Sequence, residues 1–128
     1  MSERSLISIV DDDRSFRDSL RRLLRSHGYA VVAFPCAADF LASLQLPLTG
    51  CLVADIHMRG MTGVELYRHL LDSGHAIPTI LITAYPEDEV KDRMLAMGVG
   101  CYLAKPLDEA VLIDCLQAAF VGGRCRGG

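Results

Sequence analysis

The sequence contains no apolar run near the roughly 18 residues that a membrane-spanning helix requires, and its first residues, Met-Ser-Glu-Arg, are not followed by the long apolar core of a secretory signal. A cytoplasmic, membrane-free protein is expected. The five cysteines (Cys36, Cys51, Cys101, Cys115 and Cys125) include no Cys-x-x-Cys pair, which argues against a zinc ribbon or a thioredoxin-type redox motif. Most lie in apolar surroundings, and reduced, largely buried thiols are expected. Nor is there a large excess of charge of one sign. The formal net charge is −3, and Arg14, Arg17, Arg21, Arg22 and Arg25 recur mostly at helical spacing, as on a solvated helix face rather than a nucleic-acid patch.

What remains is the composition of an ordinary globule: 128 residues, 51% hydrophobic and 23% charged, too apolar for disorder and sized for one core. Short apolar runs alternate with amphipathic stretches. Leu6 to Val10, Ala30 to Phe34, Cys51 to Ala54, Thr79 to Ile82 and Gly100 to Ala104 read as strands buried on both faces. Between them, helical stripes are carried by Phe16, Leu20, Leu23 and Leu24, by Phe40, Leu41 and Leu44, by Val64, Tyr67, Leu70 and Leu71, and by Val90, Met94 and Met97. A fifth helix follows Asp108 and carries Val111, Leu112, Cys115 and Ala119. Thr62-Gly63-Val64-Glu65 has the pattern of a capping box. The stretch 122–128, with four glycines and no apolar period, reads as a linker-like tail after a domain of residues 1–121.

Strict alternation of strand and helix with short connections implies a parallel sheet with helices on both faces. The economical architecture is a flavodoxin-like, doubly wound (βα)5 fold with strand order 2-1-3-4-5. In that order strands 1 and 3 are neighbours at the switch point, where ligands bind in α/β sheets. The polar residues that end the apolar runs are Asp11, Asp12 and Asp13, then Asp55, Thr83 and Lys105. Three carboxylates, a hydroxyl and an ammonium would thus converge on one crevice. Carboxylates so close together call for a cation, and Mg²⁺ is the hard, oxygen-preferring choice. Asp12 and Asp55 are the candidate direct ligands, with Asp11 acting through water and the backbone carbonyl of His57 completing the set. Asp55 is the candidate nucleophile for an acyl phosphate, with Lys105 and Thr83 stabilising the phosphoryl charge. Taken singly, each residue has a plainer role: a helix cap, a turn, a strand end or a surface lysine.

The stretches Ile9-Val10-Asp11-Asp12-Asp13, Ala54-Asp55-Ile56-His57-Met58 with Gly60 and Gly63, Leu81-Ile82-Thr83-Ala84, and Tyr102-Leu103-Ala104-Lys105-Pro106 together resemble the receiver domain of bacterial two-component response regulators, most of all the FixJ type. The resemblance implies that Asp55 accepts a phosphoryl group from a sensor histidine kinase. It also implies that Asp11 and Asp12 bind Mg²⁺, that Thr83 and Tyr102 form a conformational switch, and that the Lys105-Pro106 peptide is cis. Such a domain catalyses only its own phosphorylation and dephosphorylation, binds no nucleic acid directly, and controls an output domain or a downstream protein. A phosphorylation-dependent homodimer through the fourth helix, fifth strand and fifth helix is a further implication, and Ser15, Arg17, Ser19 and Leu107 lie where the kinase docks. Arg59 stands where the family usually has proline, Leu107 where phenylalanine is common, and His57 and Tyr85 at positions that tune phosphoryl lifetime. Two alternatives use the same residues. A pseudo-receiver would bind partners without phosphorylation, and a haloacid-dehalogenase-type phosphohydrolase would use Asp11 of Asp11-x-Asp13 as nucleophile.

Overall fold

A computed structural model describes the backbone of residues 5–126 and the side chains up to residue 120. Five parallel strands, β1 (Leu6–Val10), β2 (Ala30–Phe34), β3 (Thr49–Asp55), β4 (Thr79–Thr83) and β5 (Cys101–Ala104), form one sheet in the order β2-β1-β3-β4-β5. The helices are α1 (Arg14–Ser26), α2 (Ala37–Leu41), α3 (Gly63–Asp72), α4 (Asp88–Ala96) and α5 (Glu109–Arg126), with a 3-10 turn at Leu46–Leu48. This is the flavodoxin-like architecture expected from the alternation. Every residue of β3 and β4 is buried, because both strands lie inside the sheet and are covered on two faces.

The period of two along the strands divides the core. Val10, Leu52, Ala54 and Leu81 pack with Phe40, Leu66 and Leu70 on one face. Ile7, Ile9, Val53, Ile80 and Ile82 pack with Leu20, Leu24, Leu112 and Leu116 on the other. Helix starts follow local chemistry. Asp13 accepts the Phe16 N–H at 3.2 Å, and Asp108 accepts the Val111 N–H at 3.1 Å. Thr62 and Glu65 form the reciprocal capping box, with Glu65 accepting at 2.9 Å and Thr62 at 3.1 Å.

Four details differ from the sequence reading. Strand β3 begins at Thr49, two residues early, because the Thr49 hydroxyl has partners inside: it donates to the Gln45 carbonyl at 2.8 Å and lies 2.7 Å from the Ser8 hydroxyl. Helix α2 stops at Leu41, short of the Leu44 that the sequence pattern includes, and Leu44 is 87% exposed. Helix α5 runs on to Arg126, so the backbone of 122–126 is helical where a linker-like tail is expected; each glycine weakens a helix by about 1 kcal/mol, and the stretch has no proline to break it. Residues 127–128 of that tail, like residues 1–4 of the domain, lie outside the described residues. Finally, Cys101 and Cys115 are paired across β5 and α5, against the expectation of reduced thiols, because strand and helix bring their Cα atoms to 6.4 Å.

Glycine at position 63 is set by close approach. A Cβ there would lie 2.4 Å from the Asp55 carbonyl oxygen and 3.0 Å from the Ile56 Cα, so only glycine lets α3 begin directly beneath the end of β3. Gly63→Ala is expected to lower stability by about 1–3 kcal/mol, the usual cost of overpacking a rigid site. Urea denaturation of both proteins checks this, and an unchanged midpoint would mean that the backbone there yields freely.

Candidate functional site

The register of the sheet puts Val10 opposite Ala54, Asp55 opposite Ile82, and Thr83 opposite Ala104. Each polar strand-end residue therefore emerges at the same edge, two of them on adjacent strands β1 and β3. One carboxylate oxygen from each of Asp11, Asp12 and Asp55 lies within 4.8 Å of the others. Asp11 is 1% exposed and Asp55 6%, whereas Asp12 is partly open to solvent.

Lys105 closes the group. Its Nζ donates to Asp11 Oδ2 at 3.0 Å and to Asp55 Oδ2 at 3.2 Å, and it rests 4.0 Å from the centre of the Phe16 ring, within range of a cation–π contact. The Lys105-Pro106 peptide is cis. Burial alone would lower the ammonium, but the hydrogen bond and charge of Asp11, joined by those of Asp55, outweigh it and hold Lys105 above its ordinary range. Burial raises the Asp11 carboxyl above the usual carboxylate range, although the Asp13 N–H, at 2.8 Å from Oδ1, and Lys105 pull the other way.

Backbone donors fix the remaining carboxylates. The His57 N–H donates to Asp55 Oδ1 at 3.1 Å, and the Arg59 N–H to Asp12 Oδ2 at 3.1 Å. A proline at position 59 would lack that second donor, so the departure from the family pattern ties the loop after β3 to the loop after β1. The Arg59 guanidinium is exposed and its Nε stays 3.8 Å from the same oxygen, a contact of little energetic weight.

The Thr83 hydroxyl, wholly buried, accepts the Tyr85 N–H at 2.9 Å. Tyr102 stands apart from the acidic group: it is half-buried, packs against the core containing Leu81 and Met94, and its hydroxyl accepts the Glu87 N–H at 3.1 Å. His57 and Tyr85, from the loops after β3 and β4, meet edge to face with ring centres 5.4 Å apart. Asp13 caps α1. The arginine face of α1 is partly self-paired through Asp18, and Arg17 turns inward to donate to the Asp11 carbonyl at 2.8 Å. Leu107 packs against the core beside β5.

Two contributors escape sequence reading. Phe16 looks like one more apolar residue of the α1 stripe, and nothing in its spacing marks it as the surface under Lys105. Arg59 contributes through its N–H, which its side chain does not advertise. The described residues hold no helix long and apolar enough to cross a membrane.

The chain is similar to nodulation protein W of Bradyrhizobium diazoefficiens, with 35% identity over 98% of this chain and 55% of the relative. It is also similar to the transcriptional regulatory protein FixJ of Azorhizobium caulinodans, with 34% identity over 94% of this chain and 57% of that protein. It thus spans about half the length of these curated relatives. Among solved structures, the crystal structure of FixJ-N superposes with a TM-score of 0.80 at 34% identity, covering 90% of this chain and 92% of the other. Residues 7–117 match the family described as response regulator receiver domain, and the chain belongs to that family.

Proposed function

We propose that this domain is a phosphorelay receiver in which Asp55 takes a phosphoryl group from a sensor histidine kinase. The observation that carries this reading is the Lys105 ammonium held between Asp11 and Asp55, at 3.0 and 3.2 Å, beside a third carboxylate. A carboxylate oxygen of Asp55 attacks phosphorus, the bond to the donor imidazole nitrogen breaks, and an acyl phosphate remains on Asp55. Lys105 turns from its two carboxylates toward the phosphoryl oxygens. The donor set is all oxygen and rich in negative charge, which fits Mg²⁺. Asp11, Asp12, Asp55 and the His57 carbonyl would hold it, and when bound it neutralises the charge on the transferring group.

The Thr83 hydroxyl has one occupied partner, the Tyr85 N–H, and it can turn to a phosphoryl oxygen by giving that partner up. Tyr102 then releases the Glu87 N–H and moves inward, and the surface of α4, β5 and α5 changes shape as a shift between two packings. That surface addresses an output domain or a downstream protein, directly or through a homodimer formed on phosphorylation. The receiver comprises residues 1–121, and the domain works in the cytoplasm without touching nucleic acid itself. The phosphohydrolase reading would put the phosphoryl group on Asp11, which is 1% exposed against 6% for Asp55.

Incubation with Mg²⁺ and acetyl phosphate, followed by intact-mass measurement, is expected to show one phosphoryl group on the wild type and none on Asp55→Asn. An adduct on the variant would move the acceptor to another residue, and no adduct on either protein would favour the pseudo-receiver. Mg²⁺ at tenfold its Kd should stabilise the wild type by about 1.4 kcal/mol, a gain that Asp12→Asn sharply reduces; an equal shift in the variant's thermal midpoint would exclude Asp12 as a ligand. With His57 and Tyr85 both replaced by alanine, the attacking water gains access, and dephosphorylation should accelerate about tenfold, equivalent to roughly 1.4 kcal/mol of barrier. Loss of the phosphorylated mass with time measures it, and an unchanged rate would rule out the ring pair as a gate.

A further inference from the structure

We propose that Cys101 and Cys115 are a reversible dithiol–disulfide pair, a site of oxidative modification on the side of the domain remote from the acidic cluster. Their Cα atoms, 6.4 Å apart, lie within the separation that a disulfide spans without backbone movement. Both residues are half-buried, and both line an open groove of about 350 Å³ together with Tyr67, Ile77, Pro78 and Ala119. Both cysteines therefore border a space that a small thiol reagent can enter. Cys51 on β3 makes the contrast: it is fully buried, and burial pushes its thiol up to about 12, the setting of an inert structural cysteine.

The oxidant is a low-molecular-weight disulfide of the glutathione type. One cysteine, as its thiolate, attacks a sulfur of the oxidised tripeptide, forming a mixed disulfide and expelling one glutathione thiolate. The second cysteine, as its thiolate, then attacks the protein-side sulfur, forming the Cys101–Cys115 bond and expelling the second glutathione. Two cysteines lose two electrons in total, one glutathione disulfide becomes two glutathiones, and the two cysteine protons pass to the departing thiolates. Excess reduced glutathione runs the same steps backward.

The bond closes a loop with a sequence separation of 14, and that loop contains β5, Tyr102, Lys105 and the first turn of α5. Oxidation joins the first residue of β5 to the middle of α5, so strand and helix can no longer slide past one another. The tether acts on this pair of elements whether or not Asp55 carries a phosphoryl group.

The experiment equilibrates the full chain, without phosphoryl donor, in anaerobic buffers of varied reduced-to-oxidised glutathione ratio, then quenches with acid, alkylates with iodoacetamide and maps the peptides by mass. Oxidising ratios are expected to give a Cys101–Cys115 cross-linked peptide, a loss of two alkylatable thiols, and full reversal in dithiothreitol. The thermal midpoint should rise by on the order of 5–10 °C, as expected for a bridge closing a loop of this size. In Cys101→Ser and Cys115→Ser the midpoint should not respond to the ratio. Alkylation of both cysteines at every ratio would overturn the proposal, as would a cross-link that uses Cys36, Cys51 or Cys125 in place of this pair. The wild-type peptide map decides the case by itself if either serine variant fails to fold.

Discussion

The site depends on one electrostatic arrangement, a single ammonium between carboxylates carried by two different strands. Asp11 and Asp55 are both nearly buried, and two like charges so placed would repel strongly with little water to screen them. Lys105 relieves that repulsion by donating to both. The three residues come from the ends of β1, β3 and β5, so the balance exists only when the sheet is assembled in its 2-1-3-4-5 order. Site and fold are in this sense one interaction, since the topology creates the charge cluster and the lysine makes the cluster tolerable.

Much of this was legible in the sequence because both halves of the signal are local. A strand covered on two faces must be a short apolar run, and the polar residue that ends it must stand at the rim of the sheet. Asp11, Asp55, Thr83 and Lys105 satisfy that rule without any knowledge of the three-dimensional pairing. The strand order rests on economy of connection, since periodicity contains no record of which strands are neighbours.

What was not legible depends on neighbours distant in the chain. Leu44 sits in a helical pattern, yet α2 ends before reaching it. Thr49 extends β3 because Ser8, 41 residues earlier, offers a partner for its hydroxyl. Phe16 supports an ammonium 89 positions away, and Cys101 meets Cys115 because a strand and a helix happen to lie level. Arg59 is the instructive case. It stands where the family usually has proline, and in the structure its N–H, which proline would lack, supplies a hydrogen bond that holds Asp12.

The close approach of Gly63 to the end of β3 ties the start of α3 to the acidic cluster. With no side chain at that glycine, α3 lies directly against the Asp55 carbonyl, and the backbone of the central aspartate rests on a floor with no slack beneath it. Any side chain added at residue 63 would be felt first at the acidic cluster, because the main chain that carries Asp55 is the first thing it would meet.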